Sequence, residues 1–362
     1  MYSTIGSEFD LYSGNTPSRL NKEQFKGDVN WISSGELKEH YISETKEKIT
    51  QEAAKNNNLK LLPIGTFVIA IYGLEAEGIR GTCSITRGLS TISQACMAFT
   101  PIGSITNEFL YSWYKKHGNL IGIKYAQGTK QQNLSYDIIS QFQIDYPQRE
   151  EQVKLEQFIS LLDERIATQN KIIEDLKKLK CAIAERLFNA TDGDSVPLTE
   201  VCTILKGKQI NGEFLSEKGK YYVMNGGTEP SGYYDKSNAP ADTISISEGG
   251  NSCGYIQYNR EAFWSGGHCY TLNNITPNVC KLYLYHNLKS QESSIMKLRI
   301  GTGLPNIQKK DLEKFCILLP SKAKQESIST FLTAIESKIA NEEMLQNYFQ
   351  EEKLYLLRQM FI

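Results

Sequence analysis

The sequence predicts a mixed α+β fold: two similar globular α/β units separated by two long helices that pair antiparallel as a coiled coil, related by a pseudo-two-fold internal repeat. Three observations predict it. A stretch of about 40 residues carries an apolar stripe at helical spacing. The stretch occurs twice, at one constant offset. Each copy follows a run of short strand and turn signals, and those signals recur as well.

The first helical stretch spans 147–188. Leu155, Phe158, Leu162, Ile166, Ile173, Leu176, Leu179, Ile183 and Leu187 fall mostly three or four residues apart, which draws one apolar line along a helix. At 1.5 Å per residue, such a helix is a rod of roughly 60 Å. The second stretch spans 320–361, with Phe331, Ile335, Ile339, Phe349, Leu356 and Met360 in the matching places. Phe158 and Phe331, Ile166 and Ile339, and Phe188 and Phe361 are all 173 positions apart. Unrelated helices do not keep register for so long, so the repeat is real. Glu352 interrupts the second stripe at the place where the first copy has Leu179. Ile159, Leu161 and Ile172 lie off the main line and mark a second apolar surface that a partner could cover.

Taken in order, residues 1–146 read as the first globule. Leu11 to Ser18 is a strand running into a polar turn, and Trp31 to Gly35 repeats that logic. Phe67 to Ile71 is a strand introduced by Pro63 and Gly65, and Ala95 to Phe99 is another. A short helix over 107–117, a polar loop over 128–133 and a last strand at Phe142-Gln143-Ile144 follow. Pro147 opens the long helix, with Glu150 and Glu151 near its positive end. The helical segment occupies 147–190, and the second globule, 191–319, replays the first. Ile204 to Gly207 answers Leu11 to Gly14, Tyr222 to Gly226 answers Trp31 to Gly35, and Ile244 to Ser247 stands for the Phe67 strand. Cys269 falls opposite Cys96 and Gly301 opposite Gly128, again 173 apart. The last segment, 320–362, is the second long helix.

A rod with one apolar stripe must bury it, and the nearest complementary stripe is the other copy. Antiparallel rods would place one globule at each end, on a common side and about 40–60 Å apart. Duplex DNA suits such a frame, since its major-groove faces recur every ~34–36 Å. The alternative is a non-enzymatic coiled-coil adaptor with duplicated interaction domains.

Composition narrows the choice. The formal net charge is −1 and the pI near 6.5, which counts against a free-standing nonspecific DNA binder but not against a reader whose partners supply more of the phosphate contacts. No apolar run approaches the roughly 20 residues that span a bilayer, and the start is not signal-like, so a cytoplasmic protein without membrane partners is expected. The eight cysteines are scattered without a C-x-x-C pair, and are expected as buried free thiols.

The phrase from Pro147-Gln148-Arg149-Glu150-Glu151-Gln152 through Leu161-Leu162-Asp163-Glu164-Arg165-Ile166, then Leu176-Lys177-Lys178-Leu179-Lys180 to Leu187-Phe188, resembles the central conserved region of type I restriction-modification specificity (S) subunits. The loops at Gly128-Thr129 and Gly301-Thr302 resemble that family's Gly-Ser/Thr segment, and Gly14-Asn15-Thr16-Pro17-Ser18 resembles its N-terminal loop. The similarity covers essentially the whole chain. It implies that the globules are target recognition domains, one for each half of a split, asymmetric site in double-stranded DNA. It also implies that the helices dock two methyltransferase (modification) subunits, which restriction/motor subunits join. Cofactors are then expected on those partners, S-adenosylmethionine and ATP, and none in this chain.

The chain's own chemistry agrees with a non-enzymatic role. All ten prolines are isolated, so the Asn/Asp-Pro-Pro-aromatic loop of an adenine methyltransferase is missing, and no Walker-type run exists. His40, His117, His268 and His286 lie in unrelated contexts and suggest neither a triad nor a metal site. His268-Cys269 reads as part of a packed strand.

DNA contact is expected from polar and basic loop residues, because Arg and Lys match guanine O6/N7 while Asn and Gln match adenine N6/N7. In the first globule these are Asn15, Arg19, Ser34, Tyr72, Arg80, Arg87, Lys130, Gln131 and Gln132. In the second they are Lys206, Lys208, Gln209, Asn225, Asn251, Arg260, Lys297, Arg299 and Asn306. Asn133 and Asn306 also read as a turn-former common to both globules.

Overall fold

The computed structural model describes every residue except Thr129, Lys130, Gln131, Thr302, Leu304 and Ile362. It divides into two compact units, Met1–Thr168 with Gln346–Ile362, and Gln169–Leu345. The long helices run over Arg149–Asn189 (41 residues) and Lys322–Met360 (39 residues), so each helix contributes one segment to each unit.

Within each unit the two helical segments pair antiparallel. In the first unit Lys353 Nζ donates to Asp163 Oδ1, and the Arg165 guanidinium lies 5.2 Å from the Phe349 ring centre. In the second, Gln169 Nε2 donates to the Glu342 carbonyl at 3.1 Å and Lys180 Nζ donates to Glu336 Oε1. Rising numbers on one helix meet falling numbers on the other. The two Lys–carboxylate pairs are one pair made twice, since Asp163 and Glu336, like Lys180 and Lys353, are 173 apart.

The seam repeats every seven residues, the signature of a coiled coil. On the first helix it comprises Gln152, Ile159, Ile166, Ile173, Lys180 and Leu187, alternating with Leu155, Leu162, Gln169, Leu176 and Ile183; all are buried or half-buried. The second helix repeats it at Gln325, Leu332, Ile339, Gln346, Lys353 and Met360, with Ile328, Ile335, Glu342, Phe349 and Leu356 between them. Two expected pairing residues fall outside it. Phe158 is 42% and Phe331 50% exposed, because each sits one position before a seam residue, which turns it about 100° out of the contact. Leu179 and Glu352 share that outward position, so Glu352 interrupts nothing. Ile159, expected on the second surface, is buried in the seam instead, whereas Leu161 and Ile172 are exposed.

The first unit carries a five-stranded sheet in the order Phe9–Ser13, Cys96–Pro101, Phe67–Ala70, Cys83–Thr86, Tyr41–Ile42. The second has four strands, Thr203–Lys206, Cys269–Asn273, Thr243–Ser247 and Ile256–Asn259, with the same antiparallel neighbours. Further equivalents are the ladder of Tyr2–Thr4 with Gln143–Asp145, matched by Asp194–Pro197 with Cys316–Leu319. A parallel pair, Val29–Ile32 with Ser90–Ile92, is matched by Tyr221–Met224 with Trp264–Ser265. A helix backs each sheet, Asn107–Tyr125 in one unit and Lys281–Ser290 in the other. The first runs past the expected end at 117, because buried Ile121 extends its packed face beyond Gly118.

A buried glutamine seats each long helix on its globule. Gln152 Nε2 donates to the carbonyls of Ser104 (3.2 Å) and Pro147 (3.0 Å), and its Oε1 accepts from Thr106 N (3.1 Å). Gln325 repeats this with Asn278 (3.2 Å), Pro320 (2.9 Å) and Cys280 N (2.8 Å). Each amide thus joins the start of a long helix to the start of the helix behind the sheet. An apolar residue there would leave buried backbone groups unpaired, which is why the seam opens on a polar side chain.

Five cysteines are buried, as expected, but Cys181 and Cys316 are exposed. Burial pushes the Cys83 and Cys96 thiols up to about 12. Among the described residues no helix is long and apolar enough to cross a membrane, and no group of three or more His, Cys, Asp or Glu side chains could hold a metal.

Candidate nucleic-acid interface

Each globule gathers loops at one end of its sheet. In the second unit Thr203–Lys206 and Thr243–Ser247 both finish where Cys269–Asn273 begins, since Lys206 faces Tyr270 and Ser247 faces Cys269. The loops that follow or precede those points, together with the turn after Tyr221–Met224, therefore meet. His268 N donates to Asn225 Oδ1 at 3.2 Å, Lys208 N to the Ser265 carbonyl at 2.9 Å, and Gly250 N to the Pro305 carbonyl at 2.9 Å. Gly249 also bridges Asn306. Lys206, Lys208, Gln209, Asn225, Asn251 and Asn306 thereby come onto one face. Arg299 borders it, beside Cys253, whose thiol burial raises and the Arg299 charge lowers. Lys297 is exposed in the turn just before Arg299.

The first unit builds the same end. Ser13 faces Met97 and Ala70 faces Cys96, so the loops after residues 13 and 70 meet the turn before 96. Asn15 N donates to the Ile92 carbonyl (3.3 Å), Trp31 Nε1 to the Asn15 carbonyl (3.2 Å), and Ser93 N to the Ile32 carbonyl (2.9 Å). Tyr72 bridges Asn133, and Gln132 N donates to Glu75 Oε2 at 2.8 Å. Asn15, Ser34, Tyr72 and Gln132 therefore share this end, and Arg80 reaches it by donating to Gln132 Oε1 at 2.8 Å. The turns are close-set in both copies: a Cβ on Gly14 would lie 1.8 Å from the Ile92 oxygen, and one on Gly207 2.2 Å from the Gly266 oxygen. Asn133 and Asn306 close equivalent loops, bridging Gln127 and Ile300 respectively.

Three expected contacts lie elsewhere. Arg87 follows Cys83–Thr86 and Arg260 follows Ile256–Asn259, strands antiparallel to those that deliver the loops, so both land at the opposite end of the sheet. There the Arg87 guanidinium stacks 3.6 Å from the Tyr41 ring centre, beside Glu108, and Arg260 shares a cleft with Tyr258, Tyr285 and Glu336. Arg19 is held to one side, forked onto Glu47 at 2.7 and 2.8 Å and lying over Phe25 and Trp31. Lys130 and Gln131 lie outside the described residues.

The sequence reading missed Glu248 and put His268 with Cys269 in a packed strand, whereas His268 is exposed in the turn just before that strand. Glu248 is buried at the head of the second sheet, where Lys206 Nζ (2.5 Å) and Tyr270 OH (3.2 Å) donate to its Oε1. Burial and the Glu248 charge together push the Tyr270 phenol upward. Its equivalent in the first copy is Ile71, which is 177 positions away rather than 173, so the constant offset conceals the substitution.

A family model of the type I restriction modification DNA specificity domain matches the chain twice, over residues 1–178 and 192–348. The chain belongs to that family. Each specificity-domain match contains one loop-bearing sheet end and most of one long helix. A curated relative from Mycoplasma genitalium, named as a type I specificity subunit, is 36% identical over 138 residues, which cover 38% of this chain and 36% of the relative. The chain thus matches little more than a third of that relative's length. The crystal structure of a type I restriction-modification system S subunit from M. genitalium aligns over 100% of this chain and 96% of its own, with TM-score 0.63 and 20% identity. A chain from a structure of complex assembly and conformational transition of the type I restriction-modification system aligns over 99% and 95%, with TM-score 0.65 and 16% identity. At such identities the likeness is one of fold.

Proposed function

We propose that the chain is the DNA-sequence specificity subunit of a type I restriction-modification complex, reading a bipartite, asymmetric site in double-stranded DNA. Residues 1–146 and 191–319 are the two target recognition domains in this reading, and 147–190 and 320–362 are the conserved helices. One observation carries it: two sheets that share four antiparallel strands in one order each deliver a cluster of polar loops to the same end, and the side chains in the two clusters differ. A duplicated frame with unlike faces is what two unlike half-sites require.

The readers are drawn from Asn15, Ser34, Tyr72, Arg80 and Gln132 in one domain, and from Lys206, Lys208, Gln209, Asn225, Asn251, Lys297, Arg299 and Asn306 in the other; Lys130 and Gln131 remain candidates on composition. The near-zero net charge supports a subunit that depends on partners for part of its phosphate contact. Those partners are two methyltransferase subunits, which bind S-adenosylmethionine, and restriction/motor subunits, which use ATP. The subunit itself is non-catalytic and cytoplasmic. The outward-facing Phe158 and Phe331, at equivalent points of the two helices, are suited to docking the methyltransferase subunits.

Bandshift titrations with and without the methyltransferase subunits test this. Sequence-selective binding that needs both half-sites is expected, and absence of DNA affinity in every combination would refute it. Exchanging residues 195–319 for the corresponding domain of another family member should alter the second half-site and leave the first intact.

A further inference from the structure

Glu248 and Ile71 occupy the same place in the two copies, as their backbones show. Glu248 N donates to the His268 carbonyl at 2.9 Å and its carbonyl accepts from Ile307 N at 2.8 Å. Ile71 makes the same two bonds with Ala95 and Leu134, both at 2.9 Å. The neighbours correspond too. Lys206 stands where the first copy has Ser13, Tyr270 where it has Met97, and His268 where it has Ala95. Four neutral residues at the head of one sheet are thus an acid, a lysine, a phenol and a histidine at the head of the other.

The fold does not call for that acid, because the first copy forms the same turn around isoleucine. Nor is it a comfortable site for one. The Glu248 side chain is only 10% exposed, and its Oε2 is buried without a hydrogen-bond partner among the described residues; His268 Nδ1 is 3.6 Å away. A buried carboxylate with an unmet oxygen costs stability rather than adding to it. What it gains is control of Lys206. That side chain is 51% exposed on the loop face, yet its ammonium is held 2.5 Å from Glu248 Oε1. A lysine is normally a mobile point charge on a flexible stem, suited to phosphate. Tethered by one of its three donors, it keeps the others at a defined place, as recognition of guanine O6 or N7 requires.

We infer that Glu248 is a positioning residue that makes Lys206 a reader of one guanine in the second half-site rather than a phosphate contact. This rests on the DNA-reading function proposed above and narrows it to a base. Binding-site selection from randomised duplexes, with the full-length chain and its methyltransferase subunits, provides the test. The wild type should select a bipartite site with a guanine at one position of the second half. Glu248→Gln should lower the preference for that guanine about tenfold, with the first half-site unchanged and Lys206→Ala losing the same position. The variant Glu248→Ile keeps Lys206 and places the first copy's own residue in the second. It should fold and lose the same position, so a destabilised Glu248→Gln protein does not leave the matter open. Retention of the guanine by Glu248→Gln would overturn the inference. So would weakening spread evenly over the half-site, or a wild-type second half without guanine. Failure of the wild type to select any site would refute the DNA reading itself.

Discussion

Gln325 offers the sharpest quantitative test of how a recognition domain is seated on its helix. Its amide is 1% exposed and makes three hydrogen bonds to backbone, two as donor and one as acceptor. Gln325→Leu keeps the volume roughly constant but leaves the carbonyls of Asn278 and Pro320 and the Cys280 amide without partners. Each buried group left unpaired costs about 1–3 kcal/mol. Some relaxation is expected where the turn meets solvent, so the sum should be about 3–5 kcal/mol. In a unit of this size that corresponds to a melting temperature lower by about 6–20 °C. Gln325→Glu separates hydrogen bonding from shape. At pH 7 its carboxylate would face two carbonyl oxygens, so it should be less stable than the leucine variant. Its folded pKa would then be raised, the folded state would bind more protons than the unfolded, and stability would recover as pH falls toward the unfolded value of about 4.3. Calorimetry from pH 7.5 to 4.5 measures both effects, and hydrogen exchange should place the loss in the second unit. A leucine variant within about 1 kcal/mol of wild type, well under the cost of one unpaired group, would refute the role assigned to the amide. Gln152→Leu should behave likewise in the first unit.

Three further outcomes are expected. Reversing one charge of the half-buried Lys180–Glu336 pair, as in Lys180→Glu, should cost about 2–3 kcal/mol, between exposed and buried pairs; adding Glu336→Lys should restore most of it, as urea titration of the double-mutant cycle would show. Burial lowers the pKa of His286 to about 4, with Lys180 lowering it further and Glu336 opposing. The unfolded chain therefore takes up a proton near pH 6.5 that the folded one refuses until about pH 4, so stability should fall by about 2 kcal/mol between pH 7.5 and 5, and His286→Gln should remove that component. Inserting seven residues after both Thr168 and Asn341 preserves the seven-residue seam and lengthens each helix by about 10.5 Å; the selected DNA spacer should grow by about three base pairs, and an unchanged spacer in site selection would count against the helices as the ruler.

The sequence by itself determined the duplication, the long helices and most of the sheet strands, because these rest on local periodicity and on an offset that any single chain displays. Gly14 and Gly207 were legible as equivalent turns for the same reason. Three matters were decided only in tertiary structure. The seam follows a seven-residue repeat, so Phe158 and Phe331 fit a three-or-four spacing yet point outward, and glutamines and lysines fill places an apolar reading would skip. Strand direction sent Arg87 and Arg260 to the far end of their sheets, although residue type alone made them equal to Lys206 or Asn15. Glu248 became visible only when backbone hydrogen bonds aligned it with Ile71. The physical reason is common to all three. Periodicity says which residues must be covered, but which distant segments meet, and at which end, depends on register and strand direction, which are fixed only when the chain packs.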